Sequence, residues 1–172
     1  MIFVGGGAVI SGAEKELLEF AKKCVTEDPD GNGVDDTYGL ALVRELWGAQ
    51  YGLEGFFNAY HAYPNIWYED EEGNLVYGTV QAEPMKAALA DLQKLYAAGA
   101  IDPEFIVKDS AKVGESVASL KSGAFYGMWW NMSSAICQSF MNDPEKVPDR
   151  WWCLSPLSSD DQPAMLQSTG AI

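Results

Sequence analysis

Between Asp28 and Asp36 the chain reads DPDGNGVDD. Side-chain oxygens recur at Asp28, Asp30, Asn32 and Asp36, positions 1, 3, 5 and 9 of the run, with Gly31 and Gly33 at positions 4 and 6. Ca²⁺ takes about six to eight hard oxygen ligands, and alternate side chains on a tightly turning loop converge on one point. Gly33 permits the sharp turn, and the Val34 carbonyl falls at the position of a backbone ligand. The four acids of this run, Asp28, Asp30, Asp35 and Asp36, repel one another, and a cation relieves that repulsion. Position 12 is Gly39 instead of the bidentate Glu of an EF-hand. A single structural Ca²⁺ site is therefore expected, with the missing ligand from Asp35, Asp36 or a distant acid. A solvated Asp/Gly turn is the plainer alternative.

The second group able to do chemistry is aromatic. Six Trp, eight Tyr and seven Phe include two adjacent pairs, Trp129-Trp130 and Trp151-Trp152. Neighbours on a strand point to opposite faces, so either both faces are covered or one Trp of a pair looks into a cleft. An exposed indole takes the C–H face of a pyranose while nearby polar groups take its hydroxyls. Trp129, Trp130 and Asn131 are candidate sugar contacts. Trp47, Trp67 and Tyr68 carry the same ambiguity between core and cleft. Asn131 is equally well placed to cap a helix.

Charge narrows the partners. Lys plus Arg is 11 and Asp plus Glu is 25, a net charge of −14. Nucleic acid and anionic membrane surfaces need the opposite sign. Hydrophobic residues at 48% and charged residues at 21% mark a globular chain. Its 172 residues suit one domain or one lobe of something larger. Cys24, Cys137 and Cys153 form no CxxC, so free thiols are expected, with one disulfide plus a spare as the alternative. The one histidine, His61, reads as a helix-end residue. Val4-Gly5-Gly6-Gly7 lacks the third glycine of a dinucleotide turn. A glycoside hydrolase would need a carboxylate pair across a cleft, and most acids here sit in the Asp loop or the run Glu69–Glu72.

Several elements must position these groups. Leu17, Leu18, Ala21 and Val25 give a helix over Ala13–Thr26, with Ser11 as N-cap. Leu53–Tyr60 is helical. Ile66–Tyr68 and Leu75–Val80 form a hairpin around an acidic turn. Pro84 opens a long helix to Ala98, with Met85, Leu89, Leu92, Leu95 and Tyr96 as its stripe and Gly99 as its stop. Another helix starts at Asp109 or Ser110, carries Val113, Val117 and Leu120, and is closed by Gly123. Ala124–Trp130 is a buried strand, a short helix follows to Met141, and Trp151–Leu157 is a further strand. Helices outnumber strands, and the strands are short.

Three segments resemble a known family. TEDPDGNGVDDTYGL (Thr26–Leu40) is similar to the calcium loop of extracellular solute-binding proteins of sugar ABC importers, the lipoprotein-type branch. WYEDEEGNLVYGTVQAEPMKAALADLQKLYAAGAIDPEF (Trp67–Phe105) resembles that family's hairpin, long helix and exit. LKSGAFYGMWWN (Leu120–Asn131) resembles its helix, turn and buried strand ending in Trp. The resemblance implies an α/β, helix-rich lobe of a periplasmic-binding-protein-like type II fold. Residues 13–172 would be that lobe, excised from a longer chain, and residues 1–12 stay unassigned. It implies a non-enzyme that binds oligosaccharide and presents it to an ABC permease in the membrane. An extracellular, lipoprotein-anchored monomer is implied for the full-length protein. Asp28, Asp30, Asn32, Val34 and Asp36 match the metal loop; Trp129 and Trp130 match the region facing the sugar, and Trp67 matches more loosely. A calcium-stabilised adhesion module and a glycoside hydrolase fragment are the competing functions.

A Ca²⁺-loaded loop stabilises the folded chain by mass action, about 2.7 kcal/mol at a hundredfold excess over the dissociation constant. A thermal melt should shift upward with millimolar Ca²⁺ relative to chelator, and not with Mg²⁺. An unchanged melt, with elemental analysis finding no bound metal, would leave Asp28–Asp36 a bare acidic turn.

Overall fold

The computed structural model describes residues 2–4, 14–142, 151–155 and 157–164. The side chains of Trp129 and Met132 fall outside that description, as does Ser11, the expected N-cap. Four short strands form one parallel sheet: β1 (Ile2–Val4), β2 (Tyr38–Leu40), β5 (Ser122–Tyr126) and β6 (Trp152–Leu154), in the order β2-β5-β1-β6. The segment the sequence left unassigned thus supplies β1, with Ile2 opposite Ala124 on one side and Trp152 on the other.

β5 is buried at every position, as a strand covered on both faces must be. Its alternation separates two cores. Ala124 and Tyr126 join Leu17, Leu18 and Ala21 of α1 (Glu14–Cys24) and Phe56 and Phe57 of α2 (Glu54–Asn58). Phe125 joins Val113 and Val117 of α4 (Ser110–Ala118) and Ile136 of α5 (Ala135–Asn142). Tyr51 and Trp151 meet the Phe125 ring edge-on, at centroid distances of 5.1 and 5.5 Å. Such edge contacts add to the area they bury. The architecture is mixed α/β with more helix than strand, as the sequence indicates.

α1 presses directly on the sheet backbone. A Cβ at Gly39 would stand 2.1 Å from the Ala21 carbonyl oxygen, and one at Gly123 would stand 2.3 Å from Cys24 Sγ. Burial at this contact pushes the Cys24 thiol up to about 11. All three cysteines are free, so the disulfide alternative is not taken up.

The hairpin forms as expected, from β3 (Trp67–Glu69) and β4 (Leu75–Tyr77), with Trp67 opposite Tyr77. Asp70 Oδ1 accepts the Glu72 and Asn74 N–H groups and fixes the turn. The strand stops short of Val80, because Gly78–Val80 turn into a 3-10 helix.

Three other expectations are corrected. α3 (Ala82–Ala97) ends at Gly99 with φ +73°, but its packed edge is Ala88 and Leu95 with Met85 and Leu92 half-buried. Leu89 and Tyr96 stand out in solvent, because the fully buried Ala88 turns the helix toward its small-residue edge. α4 is closed by Leu120 at φ +65°, with the Lys121 N–H donating to the Ser116 carbonyl; Gly123 lies inside β5. β5 ends at Tyr126 instead of Trp130. Asn131 Oδ1 accepts the Met128 N–H at 2.9 Å, and Trp129–Ser133 close into a 3-10 turn. Trp129 and Trp130 therefore do not alternate across a sheet. Trp151 and Trp152 do divide: Trp151 Nε1 donates to the buried Ser139 hydroxyl, and Trp152 is exposed on the edge strand. Among the described residues no helix is long and apolar enough to cross a membrane.

Gly39→Ala should destabilise the chain by about 3 kcal/mol, because a backbone carbonyl of α1 occupies the space the methyl needs. Urea unfolding should show a lower midpoint at unchanged slope.

Candidate functional site: a crevice at the carboxyl ends of the parallel strands

In open α/β sheets ligands bind outside the carboxyl ends of the strands. Here the chain leaving β2 and the chain leaving β5 come together at that edge. The two segments are zipped by backbone bonds: Tyr51 N–H to the Tyr126 carbonyl at 3.0 Å and Met128 N–H to the Ala49 carbonyl at 3.2 Å. Val43 N–H donates to the Tyr51 carbonyl, Leu53 N–H to the Leu46 carbonyl, and Arg44 N–H to the Lys108 carbonyl. Gly48 N–H donates to Glu54 Oε1 at the start of α2. Leu46 and Tyr51 sit at φ +62° and +58°, left-handed conformations that side chains adopt only when the surroundings dictate them.

The result is a crevice of about 350 Å³ lined by Val43, Glu45, Trp47, Gly48, Ala49, Gln50, Ser110 and Trp130. Trp47 leans on Phe57 with centroids 5.3 Å apart, which fixes its ring against the core. Trp130 is 40% exposed. Two indoles with an acid, an amide and a hydroxyl match what a sugar needs: flat apolar faces and a few placed polar groups. Arg44 Nε donates to Glu45 Oε1 at 2.6 Å, which holds the Glu45 carboxyl below its ordinary value and keeps it ionised. Burial pushes the Glu54 carboxyl up. Burial likewise raises the Tyr51 phenol, with the Asn131 side chain beside it working the other way.

The sequence candidates are placed unevenly. Trp130 lines the crevice. Asn131 does not line it: the side chain is fully buried, and its Oδ1 accepts the Met128 N–H and closes the turn. Trp67 lies elsewhere, 64% exposed on the hairpin and tilted onto Tyr77 at 5.2 Å. The Trp129 side chain falls outside the described residues. Glu45, Gln50 and Ser110 escaped the sequence reading because each is an ordinary polar residue until the backbone folds them to one edge. The one available signal was the position of Trp47-Gly48 just past an apolar strand.

The Asp loop lies at the opposite edge of the sheet, ahead of β2. Its side chains converge. Asn32 Nδ2 donates to Asp30 Oδ2 at 3.0 Å and Asp36 Oδ1 at 3.1 Å, and Asn32 Oδ1 accepts the Val34 N–H at 2.7 Å. Asp28 accepts the Gly33 N–H at 2.8 Å and the Asn32 N–H at 3.1 Å. The Val34 carbonyl accepts the Asp36 N–H at 2.9 Å. Lys121 Nζ, just ahead of β5, reaches Asp36 Oδ2 at 2.6 Å. The Gly33 N–H lowers the Asp28 carboxyl, and the Lys121 ammonium lowers Asp36. Burial and the neighbouring Asp28 carboxylate push Asp30 up. Among the described residues no three His, Cys, Asp or Glu side chains form a ready metal group. A cation here would need Asn32 and the Val34 carbonyl as well. The carboxylates of this loop present oxygens, while the Asn32 amide turns its Nδ2 to Asp30 and Asp36.

His61 lies in the turn three residues past α2, at φ +58°, and its Nε2 stands 3.0 Å from Asp160 Oδ1.

The chain is thus mixed α/β, with an open crevice of about 350 Å³ at its strand ends. Two curated proteins of Bacillus subtilis are similar to it. Lipoprotein LipO is 34% identical over 108 residues, 63% of this chain and 21% of LipO. The polygalacturonan/rhamnogalacturonan-binding protein YtcQ is 30% identical over 121 residues, 70% of this chain and 23% of YtcQ. The chain thus spans less than a quarter of the length of these relatives. No protein-family model and no solved structure matches it.

Replacing Lys121 by Met should let the Asp36 carboxyl titrate closer to an ordinary carboxylate in ¹³C NMR. The sign follows from linkage: a carboxyl depressed in the folded state contributes stability above its unfolded pKa, and that stability is lost as pH falls through the folded value. The acid-side loss of stability carried by Asp36 should therefore be smaller in the variant. An unmoved Asp36 titration would count against the ion pair.

Proposed function

We propose that this chain binds carbohydrate in the crevice between Trp47 and Trp130, without turning it over. The crevice itself carries the reading: two indoles, with Glu45, Gln50 and Ser110 as hydrogen-bonding partners, at the carboxyl edge of the sheet. The names of the relatives support it, one a lipoprotein and the other a polysaccharide-binding protein. In the full-length protein this segment would be one lobe of a periplasmic-binding-protein-like type II fold. The lobes would close on an oligosaccharide and present it to an ABC permease. That protein would be monomeric and anchored outside the cell as a lipoprotein.

The Asp loop is the proposed calcium site, held by Asp28, Asp30, Asn32, Asp36 and the Val34 carbonyl. Bound there, Ca²⁺ would neutralise the converging carboxylates. The chain's own part is to bring those oxygens together: Gly31 and Gly33 turn at φ +70° and +81°, and Lys121 ties the loop to β5. The Asn32 amide would turn its oxygen inward. The loop lies at the far edge of the sheet from the crevice, so its role would be structural.

Intrinsic Trp fluorescence, titrated with a panel of oligosaccharides, tests the binding. At least one glycan should change the signal saturably, and Trp130→Ala should weaken that glycan about tenfold, the value of one lost stacking contact. No response across the panel would sink the reading.

A further inference from the structure

We infer that the crevice selects neutral, hydroxyl-rich sugar over uronic acid, with Glu45 as the discriminating residue. The inference rests on the carbohydrate-binding reading. It differs from what the name of the relative YtcQ says of that protein, whose polygalacturonan ligand is acidic.

Three observations carry it. First, among the described residues the lining includes one ionised side chain, Glu45, and no Lys or Arg. Recognition of a sugar carboxylate is the work of a guanidinium fork or an ammonium. Second, the nearest cation in sequence meets the protein's own acid: Arg44 places its Nε 2.6 Å from Glu45 Oε1. Third, the whole chain carries −14, which sets a repulsive background for a polyanion.

The chemistry separates the two ligand classes. A neutral pyranose brings hydroxyl donors, which a carboxylate with unused lone pairs accepts. A uronate replaces the C6 hydroxymethyl donor with an acceptor-only anion. Acceptor would then face acceptor at Glu45, with two negative charges close together. Discrimination of this kind works through the penalty on the wrong ligand.

The test uses pairs that differ only in charge. Tetragalacturonate and its fully methyl-esterified form share one backbone, and neutral gluco-, galacto- and arabino-oligosaccharides extend the neutral side. Each is titrated by Trp fluorescence and calorimetry at low and high salt. A neutral ligand should bind at least about tenfold more tightly than the acid. High salt should narrow that gap by screening the repulsion. In Glu45→Gln, confirmed folded by its melt, Arg44 is uncompensated, and the acid should gain severalfold while the esterified form moves little. Acid binding as tight as or tighter than every neutral ligand would overturn the selectivity and leave the carbohydrate reading standing. A gap that persists unchanged in Glu45→Gln would overturn the role of Glu45. Silence from every acid and neutral ligand would overturn both.

Discussion

The close approach of α1 to the sheet is the contact on which the rest of the molecule depends. Gly39 on β2 and Gly123 on β5 lie side by side under the helix, and neither has room for a methyl group. With the helix seated there, Leu17, Leu18 and Ala21 reach the first core, and Cys24 is buried against the strand backbone. A helix held farther out would leave a gap, and gaps in a core forfeit both dispersion and burial energy. The same contact sets the register of β2 against β5, with Tyr38 opposite Ser122 and Leu40 opposite Ala124.

From that register follows the placement of the two polar regions. The strands are parallel, so everything preceding β2 and β5 collects at one edge and everything following them at the other. The Asp loop and Lys121 meet at the first edge. The Trp47 segment and the Trp130 turn meet at the second. At the second edge Leu46 and Tyr51 are both in left-handed conformations. Such conformations persist only where neighbouring contacts over-determine them. Here the zipper to residues 126–128 and the Glu54 carboxylate do so.

Charge is distributed in the same two-edged way. The Asp loop gathers acids that the protein relieves only in part, with Lys121 and the Asn32 amide. The crevice carries one acid, already paired with Arg44. The −14 total comes from solvated faces as well, including the hairpin turn at Asp70.

Local rules made much of this legible in the sequence. Apolar spacing placed α1, α3 and α4 within a few residues, because a helix face is a local pattern. Turn chemistry located the hairpin, and donor spacing brought out the Asp loop, whose side chains do converge. The doublet at 151–152 divides between core and solvent, with Trp151 just ahead of β6 and Trp152 on it. Long-range packing decided the remainder. Whether Trp130 stays on a strand depends on Asn131 turning back to Met128, which no propensity encodes. The β1 strand exists as such only between β5 and β6, since three residues have no strand preference of their own strong enough to stand alone. Glu45, Gln50, Ser110 and Trp130 come from three separate stretches of chain, and only the parallel sheet brings them to one crevice. The sequence by itself determined the helices, the hairpin, the acidic loop and the sign of the charge, all of which are set by neighbours along the chain. The tertiary structure alone decided which aromatic residues line the crevice, because that is set by which segments share an edge of the sheet.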